Sequence, residues 1–410
     1  MTIPVMMNAA TAPMLDLAFA TSTNVDARVS VTRSGTASTY FDAAGILRTA
    51  SANTPRLDFD PATLAGRGLL IEEARTNLVV NSTTFNSGWT GNGAWATILA
   101  PTLLPNGTTG GYLIQDTGLL GVHEMFQAIT HTTGTTYTAS IVLKAGTRRW
   151  ATVAFYDGVT VFGAFFDLQA GVMGGSTGFT APTSKQMQSL GNGWYRCSVT
   201  GTTGATGGNI FFGIASADGT KYFPGTGSDN IYAYHAQDEA GAFPTSIILG
   251  GGSATTRPAD VASMALASTA FTPARFSARL DFQRRDGGTS GGRALFAFTN
   301  GGQVNFVNVV QLNSSLFEDP TYVGAATGPS ASDTAAHKYA FAINSAGTFQ
   351  DCQDGGVAAL FSPTAWSAPS ITQLNLGTER LAGTFLNGWI RRVALFPQTL
   401  AGTTLQGITR

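Results

Sequence analysis

The strongest constraint on this chain is its rhythm. Apolar and polar residues alternate in short runs, and no stretch keeps a helical apolar period over about 12 residues. Tyr137, Ala139, Ile141 and Leu143 alternate with Thr136, Thr138, Ser140 and Lys144. Ala151, Val153 and Phe155 alternate with Thr152, Ala154 and Tyr156, and Phe276, Ala278, Leu280 and Phe282 with Ser277, Arg279, Asp281 and Gln283. Asp157-Gly158, Gly191-Asn192-Gly193, Asp354-Gly355-Gly356 and Asn387-Gly388 separate such runs, and such pairs favour hairpin turns. The pattern predicts an all-β chain of tandem antiparallel β-sandwich (jelly-roll) domains. Composition agrees: 50 of 410 residues are Gly and only 11% are charged, so the surface is built from Thr, Ser, Asn, Gln and Gly. With 43% hydrophobic residues and 26 Phe there is ample material for a core, which excludes disorder. The glycines lack the three-residue period of collagen.

At about 100–200 residues per domain the length suggests two to four domains. Met1 to Ala27 shows little periodicity and reads as an extended arm or irregular anchor. Arg28 to Asp42 reads as strand, Pro55 to Pro61 as a short extended piece, and Gly68 to Ile71 as a compact apolar run. From Val79 to Arg257 strand signals are dense. Gly250-Gly251-Gly252 and Thr255-Thr256-Arg257-Pro258 mark a composition shift, which puts a boundary near residue 265. The expected division is a small N-terminal anchoring region (1–78), a sandwich (79–265) and a second sandwich (266–410), with one short helical turn between Pro397 and Ile408.

Few residues advertise chemistry. The net charge is −1, and Arg148-Arg149, Arg284-Arg285 and Arg391-Arg392 are isolated pairs, so nucleic-acid binding is not expected. No apolar run approaches the ~18 residues of a membrane span, and Met1 to Ala20 has no Lys or Arg to begin a signal peptide; synthesis in the cytoplasm is expected. Cys197 and Cys352 are too few and too distant for a disulfide scaffold or zinc site, and read as buried free thiols. His123, His131, His235 and His337 are dispersed, so no metal is expected. Asp157-Gly158, Asp218-Gly219 and Asp286-Gly287 read as turns rather than calcium loops. No phosphate-cradling, dinucleotide or GxSxG string appears, so neither a cofactor nor a catalytic residue is expected.

Glu72 and Glu73 are adjacent and point to opposite faces of a strand, unlike a glycosidase pair facing across a sugar. Arg75 is expected to pair with one of them as structural glue at the domain junction. Sugars offer apolar C–H faces that aromatic rings complement. Trp150 and Tyr156 lie six residues apart on one strand face with Thr152 and Ala154, beside Asp157. They form one candidate ligand-binding platform; the alternative is packing against a neighbouring strand or subunit. Trp89 and Trp95, flanking Gly91-Asn92-Gly93, are a second candidate, with burial at the sandwich edge as the alternative. Trp194 and Trp389 read as core.

Three strings together carry a resemblance: RSGTASTYFD (Arg33 to Asp42), GLLIEEARTNL (Gly68 to Leu78) and AFPTSIILGGGSATTRPAD (Ala242 to Asp260). They resemble bacteriophage virion proteins of the tail-fibre, tail-associated and head-fibre type, in which an N-terminal segment precedes a carbohydrate-binding-module-like sandwich. The match spans about residues 10 to 260. The C-terminal third is similar in pattern to concanavalin-like or laminin-G-like sandwiches, through HKYAFAIN (His337 to Asn344), Asp354 to Gly356, LNLGTER (Leu374 to Arg380) and LNGWIRRVALFPQTL (Leu386 to Leu400). The resemblance implies a non-enzymatic structural or adhesive virion component, homo-oligomeric with a trimer favoured, in contact with other virion proteins and with host-surface glycan. Two alternatives stay open: a decoration or connector protein that binds no sugar, and a tail-borne glycan depolymerase, which needs two carboxylates on one cleft.

Overall fold

Each alternating run becomes a strand whose apolar side turns inward. The computed structural model describes residues 12–98, 102–267, 269, 271–286, 293–300, 306–311, 315–318, 325–326, 333–361, 370–378 and 384–410. Gly287 of the Asp286-Gly287 turn, Glu379-Arg380 of the LNLGTER string, and the first eleven residues lie outside these. The described strands pair antiparallel and pack as two sandwiches; the one α-helix among the described residues is Gly402–Thr409.

One sandwich is built from a continuous stretch. Its six-stranded sheet runs Ser184–Ser189, Trp194–Thr202, Thr136–Ala145, Asn230–Ala240, Tyr112–Asp116, Ala94–Ile98. Its seven-stranded sheet runs Val172–Met173, Val161–Asp167, Trp150–Tyr156, Asn209–Ala215, Leu120–Ala128, Tyr222–Pro224, with Thr90–Asn92 also on Leu120–Ala128. Ala139, Ile141 and Leu143 of the first sheet meet Val153, Phe155, Phe166, Phe212 and Ile214 of the second in one buried core. Cys197 is buried there as a free thiol, and Cys352 is buried elsewhere, also free. Burial pushes the Cys197 thiol up, which leaves it inert.

The second sandwich is discontinuous, and this differs from the expected division. Its larger sheet runs Ala359–Phe361, Phe349–Gln353, Ala336–Ile343, Phe276–Arg284, Gly388–Phe396, Gly66–Ile71, Leu57–Phe59. Leu15–Leu17 is added beside Gly388–Phe396, with Leu15 opposite Leu395 and Leu17 opposite Val393. The facing sheet starts at Val29–Thr32, paired to Val261–Ala265, then continues through Gln373–Leu376 and Arg293–Thr299. The described part of the first 78 residues therefore does not stand apart. Its Leu15, Leu17, Val29, Val31, Leu57, Leu69 and Ile71 enter the same core as Phe276, Phe296, Phe341 and Leu395. The continuous sandwich is inserted between Ile71 and Val261. The physical reason is edge satisfaction: Gly388–Phe396 has a full row of backbone groups to pair, and two N-terminal strands share that row.

Gly68 makes one of these pairings possible. It holds φ +122°, and a Cβ there would run into the Ile390 carbonyl, so this close approach needs glycine. The expected Arg28–Asp42 strand divides into Val29–Thr32 and Thr39–Phe41, and the latter pairs with Leu47–Thr49 as a hairpin. That hairpin puts Phe41 and Leu47 onto Val142, Trp194 and Tyr234, covering the outer face of the inserted sandwich's six-stranded sheet.

Candidate functional site

Strands Arg75–Asn77 and Thr255–Arg257 pair as a two-stranded ribbon through which the chain enters and leaves the inserted sandwich. Beneath it lies a cluster of fully buried charges. Glu72 Oε2 accepts from Arg56 Nη2 at 2.8 Å, Arg257 Nη1 at 2.7 Å and Ser246 Oγ at 2.7 Å, and Oε1 accepts from the Ser246 N–H at 2.7 Å. Asp260 accepts from Arg33 Nη1 at 2.7 Å, from Arg56 and from the Glu72 N–H at 3.0 Å. Arg257 also donates to the Glu73 carbonyl. Arg285 lies 3.5 Å from Glu72 and stacks over Trp389, 4.7 Å from the ring centroid, a cation–π geometry.

The network continues into the inserted sandwich. Arg196 donates to Ser140 and to the Thr245 carbonyl, and Glu239 accepts from Thr245 Oγ1 at 2.6 Å. Burial by itself lifts the Glu72 carboxyl; Arg257, Arg56 and Arg285 outweigh it and hold the group well below the usual carboxylate range. Burial lowers Arg196 to about 10, with Glu239 opposing.

All three quoted strings converge here. Arg33 comes from the first, Glu72 from the second, and Ser246, Arg257 and Asp260 from the third. Sequence reasoning found Glu72 and missed Arg33, Arg56, Ser246, Arg257 and Asp260. A signal existed: with 11% charged residues, a charge set in an apolar string is a marker of an internal partner, because an unpaired buried charge is too costly.

Glu73 and Arg75 pair with each other, Arg75 Nε to Glu73 Oε1 at 2.7 Å, on the opposite side from Glu72. The Arg75 guanidinium lies over Phe243, 5.2 Å from the centroid, and against Gly241 at φ +138°, where a Cβ would collide with it.

The aromatic candidates are not brought together. Trp150 and Tyr156 do share a strand face, about 20 Å apart along the strand at 3.3 Å per residue. Thr152 and Ala154 between them are buried rather than open. Phe179 folds over Gly163 beside them, its ring 5.7 Å from that of Phe165, and Lys221 Nζ sits 3.9 Å from the Phe179 centroid. The expected continuous platform is thus roofed in its middle. Tyr156 donates its hydroxyl to the Gly158 carbonyl at 2.5 Å. Asp157 is buried and accepts from the N–H groups of Val159, Thr160 and Gly204; burial opposes its ionisation, and these donors prevail and lower its pKa. Trp89 packs in the core against Phe85 and Phe212 and donates to the Asn81 carbonyl at 3.0 Å. Trp95 is exposed at 41% and stands apart from it. Trp194 and Trp389 are buried.

The inserted sandwich docks through the outer face of its six-stranded sheet, so the other outer face points away from the junction. Tyr222, on an edge of the seven-stranded sheet, is 62% exposed. Nearby, Glu124 accepts from Asn92 Nδ2 at 3.2 Å. Burial raises Glu124, with Asn92 and Lys221 opposing. Glu124, Asn92, Lys221 and Tyr222 were not singled out from sequence; they lie on different strands and loops, and only pairing assembles them.

At the ribbon itself an open hollow of about 580 Å³ lies between the inserted sandwich and the chain crossing into it. Among the described residues no group of three His, Cys, Asp or Glu side chains gathers as a metal site, and no helix is long and apolar enough to cross a membrane.

No family model matches this chain, and no curated protein matches it. Among solved structures, the chain aligns with the N-terminal CBM22-1–CBM22-2 tandem domain from Paenibacillus barcinonensis Xyn10C, at 8% identity and a TM-score of 0.25, over 80% of this chain and 98% of that one. That score lies below the level at which two chains share a fold.

Proposed function

We propose that this chain is a structural and adhesive component of a bacteriophage particle, a tail- or head-associated fibre or spike protein made in the host cytoplasm. It binds and scaffolds rather than catalyses. In this reading it assembles with other virion proteins and with copies of itself, as a trimer, and its outward sandwich surfaces contact host glycan. Sites of this kind are weak singly and strong in many copies.

The observation that carries the reading is the convergence of the three virion-type strings on one buried ion network. A buried network of charge-assisted guanidinium–carboxylate hydrogen bonds joins two sandwiches into a stiff unit, which suits a projecting element that bears load. Against the depolymerase alternative stands the placement of Glu72 and Glu73: Glu72 is enclosed by guanidinium groups and Glu73 is paired to Arg75, while the adjacent Asp238 and Glu239 are fully buried.

The test is to locate the chain on purified particles by electron microscopy with an antibody against residues 90–240, alongside pull-down by host cells. Labelling at tail, neck or head with host-cell capture is expected. Particles that lack the chain would sink the virion reading; labelled particles whose chain captures no host surface would favour the decoration or connector role.

A further inference from the structure

We infer that the hollow at the ribbon is a binding site for an uncharged sugar unit, an inference that deepens the glycan-contact reading above and rests on it. The hollow is lined by Thr76 and Thr256 from the ribbon and by Thr130, Thr132 and Tyr137 from the inserted sandwich, with Glu73 at its side. Its volume of about 580 Å³ lies inside the range of small-ligand sites, roughly 300–1,000 Å³.

The lining chemistry selects the ligand class. Four threonine hydroxyls each donate and accept, matching the hydroxyls of a sugar. Thr76 and Thr256 already bond each other at 2.8 Å, which leaves each with further capacity. Thr130 and Thr132 stand exposed on the facing wall. Glu73 is 31% exposed, and its charge is answered by Arg75. The hollow therefore offers a strong acceptor without a net field that would demand a charged ligand. Leu78 and Ala240 add the apolar surface on which sugar C–H groups rest.

Rigidity completes the argument. A site binds well when its walls are held before the ligand arrives. The ribbon wall is anchored directly by Arg257, which lies in that ribbon and reaches Glu72 and the Glu73 carbonyl. The facing wall is held where the Tyr137 hydroxyl accepts the Thr132 N–H at 3.0 Å. Neither the ribbon nor the inserted sandwich forms the hollow alone.

The test uses the full chain on a printed array of bacterial surface oligosaccharides, neutral and acidic. Two plugging variants, Ala74→Trp and Thr130→Trp, fill the hollow from exposed positions outside the buried network, and Tyr222→Ala alters the distant sheet face. Thermal melting confirms that each variant folds. Expected is binding of a neutral oligosaccharide that drops at least tenfold in both plugging variants and is unchanged in Tyr222→Ala. Binding that survives both plugs overturns this site and leaves the glycan reading standing. Binding confined to acidic glycans overturns the ligand class. No binding by the unaltered chain removes the glycan reading and this site with it.

Discussion

Glu72 shows how one carboxylate can organise a junction. Removing it leaves Arg257 and Arg285 without their carboxylate partner and Arg56 with Asp260 alone, and such losses cost about 3–5 kcal/mol. Glu72→Ala is therefore expected to lower unfolding free energy by about that amount in urea titration, whereas Glu73→Ala, at a partly exposed pair, costs about 1 kcal/mol or less. The pH dependence follows from sign. Glu72 has a folded pKa below its ordinary 4.5, so its stabilisation is present above that value and fades as pH falls below it. His235 acts in a different window. Burial, with Arg196 adding to it, lowers its pKa from 6.5 to about 3, while its Nε2–H donates to the Ile248 carbonyl at 3.1 Å. The unfolded chain takes up a proton below pH 6.5 that the folded chain refuses. Stability is thus expected to decline from pH 6.5 toward the carboxylate range, and this decline flattens in His235→Asn, read by melting temperature across pH. His337 lies between Asp354 and Asp333, whose hydrogen bonds outweigh burial and raise its pKa. Its contribution is full below 6.5 and is lost on the alkaline side, so the two histidines separate on the pH axis.

Among the elements, the strand Gly66–Ile71 depends on one residue without a side chain. Gly68→Ala puts a methyl group into the Ile390 carbonyl at a positive φ. The expected result is loss of pairing with Gly388–Phe396 and a fall in melting temperature well beyond that of Gly35→Ala, where φ is also positive at +76° but a Cβ meets nothing. The strand Leu15–Leu17 is equally specific: it buries both leucines, with Phe19 just beyond it. Each such burial is worth about 1.5–3 kcal/mol, so deleting residues 1–20 is expected to destabilise the whole C-terminal sandwich, detectable as hydrogen exchange at Phe276–Arg284. The strands Thr136–Ala145 and Trp150–Tyr156 were legible in sequence because period-two alternation is a local property. The partner of Leu15–Leu17 was not, since Leu395 is 380 positions away and nothing in either string names the other. The face of Trp150 and Tyr156 was legible too; its cover by Phe179 was not, because that ring arrives from another loop. Glu72 was found through its string, while Arg56, a charge in a short apolar piece, signals a buried partner without naming which one; only the pairing brings it alongside Glu72.

For the whole molecule, the consequence is unequal independence of its two sandwiches. A fragment of residues 79–250 contains every strand of the inserted sandwich and is expected to melt cooperatively alone. A fragment of 266–410 lacks Leu15–Leu17, Val29–Thr32, Gly66–Ile71 and Val261–Ala265, and is expected to remain unfolded or aggregated by circular dichroism and gel filtration. The insertion also sets an order in time. As the chain is made at about 5–20 residues per second, Leu15–Leu17 emerges tens of seconds before the Leu395 it must meet. The inserted sandwich closes in that interval from neighbours already present, drawing residues 72 and 260 close together. What is left for the final strand is a short search instead of a long one, so the buried pairing of Arg33 with Asp260 is set up by a domain that has already folded.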